Sequence, residues 1–245
     1  MTGVQTCALP ISSYAAIIIK CLVAVLAAIF LGNGAVYLFN KMPAKWFCDY
    51  GETPSKEMLD PFTQRIKSNP WKIVFTMFFV IIGCRMVIDD PEFAVAAVCT
   101  IWILLEIAIG DVLYKIIPDQ LTVLLAVTAV GYFSYFDDWR HPAFGALAGL
   151  GLIGISAVCG RLFYGKDTVG GGDIKLFAAL GLIAGPLGIA AIFAGSTVFA
   201  CLHYIYGKIR GTLKPGGTVA MAPYVFISTV IYLVFFWGAF DFLSM

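Results

Sequence analysis

Long apolar runs separated by short polar turns dominate this chain of 245 residues. A transmembrane helix needs about 20 mostly apolar residues, and the runs predict eight membrane spans. The predicted spans are 21–39, 71–88, 93–110, 120–136, 142–163, 174–185, 187–206 and 219–240. The pattern therefore predicts an all-α polytopic integral membrane helix bundle with about eight transmembrane helices.

The sixth and seventh predicted spans come from one apolar stretch, 174–206, which is too long for a single crossing. Gly185-Pro186 lies within this stretch, and Gly-Pro is a turn signal. We therefore divide the stretch at this dipeptide. Because the first of the two spans is short, we expect neighbouring helices to shelter it from lipid.

Lysine and arginine indicate the orientation of the spans, because short loops rich in them stay in the cytoplasm. If the polar loop 40–70 is cytoplasmic, thirteen basic residues lie inside and only Lys20, Arg85 and Arg140 lie outside. The thirteen are Lys41, Lys45, Lys56, Arg65, Lys67, Lys72, Lys115, Arg161, Lys166, Lys175, Lys208, Arg210 and Lys214. The sequence therefore predicts that both termini are outside and that the loop is inside.

Composition excludes several other classes of protein. The chain is 60% hydrophobic and 13% charged, with a formal net charge of +1, so it offers no basic surface for nucleic acid. Its seven cysteines form no C-x-x-C pair, and only two histidines are present, so a zinc ribbon or another metal site is not expected.

Four acidic residues near or inside the predicted spans are candidates for function, because carboxyl groups are costly in a membrane. They are Glu106, Asp111, Asp119 and Asp173. Asp111 and Asp173 lie on the same predicted cytoplasmic side, each at the mouth of a helix. Two adjacent carboxyl groups share a proton, so one can activate water while the other polarises a peptide carbonyl.

Each acid also has a purely structural interpretation. Gly170-Gly171-Gly172-Asp173 is compatible with a loop and an aspartate N-cap. Asp111 is compatible with a solvated acid at a helix end beside Lys115. Glu106 is compatible with a protonated carboxyl that is hydrogen-bonded to a neighbouring helix.

Two motifs resemble those of the type IV prepilin peptidases, which are membrane aspartic peptidases of the GxGD class. Asp111 followed by Pro118-Asp119 resembles the family's Asp-x6-Pro-Asp/Asn segment, and Gly170-Gly171-Gly172-Asp173-Ile174-Lys175 resembles its GxGD helix start. The resemblance implies that Asp111 and Asp173 are the catalytic pair and that Asp119 is a helix cap. The candidates for substrate binding or loop support are Gly170, Gly171, Gly172, Pro118, Asp119, Lys175 and Glu106.

Weaker likeness covers nearly the whole chain except 44–70, where many relatives carry a zinc-binding domain that supports N-methylation. Here that region has a single cysteine, Cys48, which cannot form a tetrahedral cysteine site. The domains implied are an N-terminal segment and first span (1–39), a short cytoplasmic loop in place of the zinc and methylase domain (40–70), and a membrane peptidase domain (71–245).

The resemblance implies cleavage of the leader peptide of prepilin or pseudopilin precursors at the cytoplasmic face of a bacterial inner membrane. The peptidase activity needs no cofactor, no zinc is expected, and S-adenosylmethionine is needed only if methylation is retained. The expected partners are these precursors and the lipid bilayer, and not nucleic acid. Two alternatives remain: a proton or cation transporter that uses Glu106, Asp111 and Asp173, and an inactive component of the pilus machine.

Overall fold

The computed structural model describes residues 11–48, 51–54, 56–60, 63–165, 169–211 and 219–239. Eight α-helices form the described part of the chain: α1 Ile11–Lys41, α2 Lys56–Leu59, α3 Ser68–Asp89, α4 Pro91–Tyr114, α5 Asp119–Val127, α6 Arg140–Tyr164, α7 Gly171–Ile209 and α8 Ala222–Ile231. Within these ranges there is no β-strand, so the all-α prediction is confirmed. Lys166, Lys214 and both chain ends lie outside the described residues.

Five of the described helices, α1, α3, α4, α6 and α7, are long and apolar enough to cross a membrane. The predicted fourth span is α5 continued by the 3-10 helix Thr128–Tyr135, and the predicted eighth is α8 continued by the π-helical turn Tyr232–Phe236. Because these two elements are shorter, the predicted count of eight full spans is not confirmed. A multi-pass membrane helix bundle is confirmed.

Helix α7 contains 39 residues and reverses direction at Gly185. This glycine has φ 70° and ψ −179°, a non-helical conformation that side-chain-bearing residues rarely adopt. The rings of Phe177 and Phe193 lie 5.7 Å apart, whereas in a straight helix their positions would be about 24 Å apart. Helix α7 is therefore two antiparallel arms, and the predicted division at Gly185-Pro186 is confirmed.

The first arm of α7 is packed inside the bundle, as its shortness predicted. Leu176, Phe177 and Leu180 have no exposed surface. Helix α6 approaches the arm closely, because a Cβ atom at Gly145 would lie only 2.1 Å from the carbonyl oxygen of Gly181. This backbone contact holds the arm that begins near Asp173.

Helices α4 and α8 run antiparallel and define two ends of the bundle. Asp111, in the last turn of α4, contacts Ala222 at the start of α8. At the opposite end the ring of Trp237, which follows α8, lies 4.8 Å from that of Phe93 near the start of α4. We call the end that carries Asp111 and Asp173 the acid end. The end formed by Phe93, Tyr132, Tyr135, Phe136 and Trp237 is called the aromatic end.

Candidate active site

Asp111 is buried at the acid end and is held by another helix. The residue is 6% exposed, and its Oδ2 accepts a hydrogen bond of 2.9 Å from the backbone N–H of Ala222. Ala222 is the first residue of α8, where N–H groups lack helical partners and the helix dipole is positive. The interpretation of Asp111 as a solvated helix-end acid is therefore wrong.

Asp173 lies in the first turn of α7 and its side chain reaches back to the start of the helix. Gly170 is the N-cap residue, and Asp173 occupies the third helical position. The backbone N–H of Gly170 donates a hydrogen bond of 3.3 Å to Asp173 Oδ2. Asp173 is therefore not the N-cap residue itself, but it caps the start of α7 from the third helical position.

The fold brings the two acids together from different helices. The carboxyl groups of Asp111 and Asp173 are close enough to interact electrostatically. Tyr224, two residues after Ala222, also lies within electrostatic range of Asp111. The acid end thus holds two carboxyl groups whose charges interact, which is one condition for sharing a proton.

Only one of the three glycines before Asp173 lies against another segment closely enough to exclude a side chain. A Cβ atom at Gly172 would lie 2.8 Å from Cβ of Ile117. At Gly171 a Cβ atom would meet nothing within 4 Å, and at Gly170 it would make an ordinary contact with Asp173. Gly172 therefore allows the glycine segment to approach the loop that follows Asp111.

Asp119 does not act as a helix cap, contrary to the role that the family resemblance implies. Pro118 is the N-cap residue of α5, Asp119 is the first helical residue, and no side-chain capping hydrogen bond is present there. Instead, Nζ of Lys175 donates to both carboxylate oxygens of Asp119, at 2.7 and 2.8 Å. Both residues are candidates for loop support, and their ion pair joins the starts of α5 and α7.

Glu106 lies apart from the acid pair. It is fully buried, and neither of its carboxyl oxygens has a hydrogen-bond partner in the part of the chain that the structure describes. The expected hydrogen bond to a neighbouring helix is therefore not found among these residues. Positions 106 and 111 of α4 point about 140° apart, so the structure does not bring Glu106 to the acids.

Sequence reasoning missed the residue that attaches the polar loop 40–70 to the acid end. Phe47 is 2% exposed, and its ring centroid lies 5.0 Å from that of Tyr114. A Cβ atom at Gly110, next to Asp111, would lie 3.0 Å from the Phe47 ring. The guanidinium of Arg65 lies 5.4 Å from the centroid of the same ring. The apolar pair Trp46-Phe47 within a polar loop was the available signal.

Metal ligands are not clustered in the described ranges. Within them, no group of three or more His, Cys, Asp or Glu side chains is arranged to hold a metal ion. Cys48, the one cysteine of the loop, is a free thiol whose Sγ lies 3.4 Å from the carbonyl oxygen of Ala44.

Comparison with known proteins agrees with this geometry. Residues 98–205 match the type IV leader peptidase family. The chain is 28% identical over 162 residues to a prepilin leader peptidase/N-methyltransferase of Bacillus subtilis (strain 168), which covers 65% of this chain and 62% of the relative. It is 36% identical over 137 residues to a protein of the same name from Xanthomonas campestris pv. campestris, which covers 52% of this chain and 45% of the relative.

The chain spans about half the length of the curated relatives it matches. No solved structure matches it. The region matched by the family model contains both Asp111 and Asp173. The similarity to the type IV leader peptidase family therefore includes the part of the chain that carries both acids.

Proposed function

We propose that this protein is an aspartic-type endopeptidase that removes the leader peptide of prepilin-like precursors. The observation that carries the proposal is that Asp111 and Asp173, from α4 and α7, lie within electrostatic range of each other inside the region matched by the family model. The curated relatives described above are named as prepilin leader peptidases. We infer that the precursors of type IV pilins or pseudopilins are the substrates.

The proposed chemistry uses the two carboxyl groups as one unit. The ionised member takes a proton from a water molecule as its oxygen attacks the peptide carbonyl carbon, and the protonated member donates a hydrogen bond to the carbonyl oxygen. The amide nitrogen then receives a proton as the C–N bond breaks. This reaction requires a peptide segment in extended form, and the side-chain-free segment 170–172 leaves room beside Asp173.

We infer that the segment 40–70 does not provide the zinc site that supports N-methylation, an activity included in the relatives' names. A structural zinc site takes four ligands, and the segment 40–70 has Cys48 as its one cysteine and no histidine. The loop is instead packed on the acid end through Phe47. S-adenosylmethionine would be required only if methylation is retained.

The alternative of a proton or cation transporter is less well supported than a peptidase. A path through the bundle would need Glu106 near the acid pair, but this residue lies on another face of α4. The ion pair of Asp119 with Lys175 also neutralises charge beside the acids without forming a continuous polar path. We therefore favour the peptidase.

We place the acid end at the cytoplasmic face of a bacterial-type inner membrane, because basic residues are concentrated in the loops at that end. A cysteine introduced at Gln64 should react with a membrane-impermeant thiol reagent only after the inner face is opened. A cysteine at Asp138 should react in intact cells, with the unsubstituted chain as the control for native thiols. The reverse pattern would put the acids on the outer face.

The peptidase proposal is tested by incubating the purified protein in lipid vesicles with a prepilin. We expect loss of the leader, and mass spectrometry should show a single new amino terminus at the leader boundary. The double variant Asp111→Asn/Asp173→Asn is the control and should leave the precursor intact. Cleavage by this variant, or an intact precursor with the unsubstituted protein, would contradict the proposal.

A further inference from the structure

The ion pair between Asp119 and Lys175 joins the two segments that carry the acids. Lys175 lies two residues after Asp173 at the start of α7, and Asp119 begins α5 directly after the loop that follows Asp111. Its two hydrogen bonds, of 2.7 and 2.8 Å, use both carboxylate oxygens and a single ammonium group. Because a lysine ammonium is a point charge on a flexible stem, the contact restrains the distance between the two segments and not their direction.

The same two segments meet a second time at Gly172 and Ile117, where a Cβ atom on the glycine would lie 2.8 Å from the isoleucine Cβ. The apolar contact precedes Asp173 and the ion pair follows it. Asp173 is thus bracketed along its chain by two contacts with the loop that begins after Asp111.

We propose that Asp119 and Lys175 are positioning residues, whose ion pair holds Asp173 at the correct place relative to Asp111. This inference rests on the proposed peptidase function. The side chains of Lys175 and Asp119 are 52% and 36% exposed, and partly exposed ion pairs contribute little to global stability. A role in positioning therefore predicts a loss of rate without a loss of folding.

The charges also fit this role. A cation near the start of a helix is unfavourable, because that end of the helix dipole is positive. Lys175 is the fifth residue of α7, where this effect has weakened, and Asp119 supplies a compensating negative charge. Asp119 in turn lies in the first turn of α5, where an acid is favourable. Asp119 therefore stabilises the helix in which it lies, whereas Lys175 gains from its contact with Asp119.

The kinetic test compares variants that remove the ion pair with variants that keep its hydrogen bonds. We expect Lys175→Met and Asp119→Leu each to lower kcat about 10-fold to 100-fold with KM nearly unchanged, as a small displacement of reacting groups does. The double variant Lys175→Met/Asp119→Leu should be no slower than the slower of the two single variants. Lys175→Arg and Asp119→Asn retain a donor and an acceptor and should keep most of the activity.

A matched control removes an exposed ion pair at the other end of the bundle. Arg85→Met breaks the pair with Asp89 and should leave kcat unchanged. The positioning role would be overturned if Lys175→Met raised KM alone, if it left kcat unchanged, or if the effects of the two single variants multiplied in the double variant.

A measurement that needs no substrate separates this inference from the proposed function. Amide hydrogen exchange of residues 171–176 should be faster in Lys175→Met than in the unsubstituted protein, while exchange in α6 stays the same. If the unsubstituted protein cleaves no prepilin, the proposed function fails. The exchange data then still test whether the ion pair restrains the segment that carries Asp173. Unchanged exchange at 171–176 would overturn the inference.

Discussion

At the aromatic end, rings fill the space between the helices, whereas at the acid end charged groups and backbone atoms make the contacts. Trp237 illustrates the first arrangement, with ring centroids 4.8 Å from Phe93, 5.2 Å from Tyr132 and 6.4 Å from Tyr135. Asp111 illustrates the second, since its carboxylate is bound by the backbone of α8. The same pair of helices, α4 and α8, therefore has a packed end and a polar end.

The difference suggests that stability and chemistry are assigned to different ends of one helix pair. Packed aromatic rings stabilise the fold through many weak contacts. Buried carboxyl groups cost energy but supply protons for reaction. Substitutions at the aromatic end should therefore change stability at constant rate, and those at the acid end should change rate at nearly constant stability.

The largest effect on stability is expected from Trp237→Ala. Removal of this half-buried ring takes away its contacts with α4, α8 and the helix Thr128–Tyr135, and the cost should lie at the lower end of the range of about 3–5 kcal/mol typical of fully buried rings. Denaturant unfolding in detergent micelles measures this loss, and kcat per folded molecule should not change. Trp139→Ala is the control, because this side chain is 79% exposed and should have little effect. A fall in kcat for Trp237→Ala at unchanged stability would break the comparison.

A smaller effect, on rate, is expected from Gly172→Ala. The added methyl group must displace Ile117, whose Cβ lies 2.8 Å from the position of the new atom. The resulting shift of Asp173 should lower kcat about 10-fold to 100-fold. Gly154→Ala in α6 is the matched control, since a Cβ atom there meets nothing within 4 Å. Equal rates for the two variants would remove Gly172 from the account of the site.

Asp90 at the aromatic end gives a still smaller effect and a pH dependence. It is the N-cap of α4, and its Oδ1 accepts from the backbone N–H groups of Phe93 and Glu92. The Phe93 N–H first, and then the Tyr135 hydroxyl, hold the pKa of Asp90 below its usual range. Because the folded pKa is the lower one, its contribution to stability is complete above the unfolded pKa and is lost as pH falls through the folded pKa.

We therefore expect Asp90→Ala to cost about 0.5–2 kcal/mol at neutral pH and to reduce the loss of stability on acidification. Unfolding curves at neutral and acidic pH measure both quantities. Asp89→Ala is the control, because it removes only an exposed ion pair with Arg85 and should cost less. If the two variants lost the same free energy of unfolding, the N-cap hydrogen bonds of Asp90 would contribute no more to stability than an exposed ion pair.

The smallest effect is expected from chelation. The proposed reaction uses two carboxyl groups and no metal, so a chelator should leave the rate of leader removal unchanged, and zinc should not co-purify in stoichiometric amount. Elemental analysis of the purified protein and a cleavage assay with and without chelator measure both. Inhibition that zinc reverses would contradict the metal-free acid pair.

The sequence predicted the elements whose signal is local. Apolar length identified the helices, and Gly185-Pro186 predicted the reversal of α7 because a positive φ and a proline together interrupt a helix. The meeting of Asp111 and Asp173 followed from a topology deduced from the distribution of basic residues. These predictions needed no knowledge of how the helices pack.

Other features depend on contacts between distant segments, which composition and periodicity do not encode. Asp111 accepts a hydrogen bond from the backbone N–H of Ala222. Because every residue except proline has such a group, the sequence does not indicate which one binds Asp111. Asp119 is bound by Lys175, 56 positions away, a contact that neither the local pattern nor the family resemblance, which implies a helix cap, could indicate. Phe47 was hidden because its polar surroundings predicted a solvated loop.

The central claim is that Asp111 and Asp173 form one catalytic unit at the acid end, and the rates of their single and double asparagine variants test it most directly. Asparagine keeps the shape of the side chain but cannot exchange a proton, so we expect Asp111→Asn and Asp173→Asn each to lower kcat by about 10²–10⁴-fold. Because the two act together, the double variant should be no slower than the slower single variant. Unfolding midpoints should stay close to that of the unsubstituted protein. Near-normal cleavage by either single variant, or effects that multiply in the double variant, would contradict the claim.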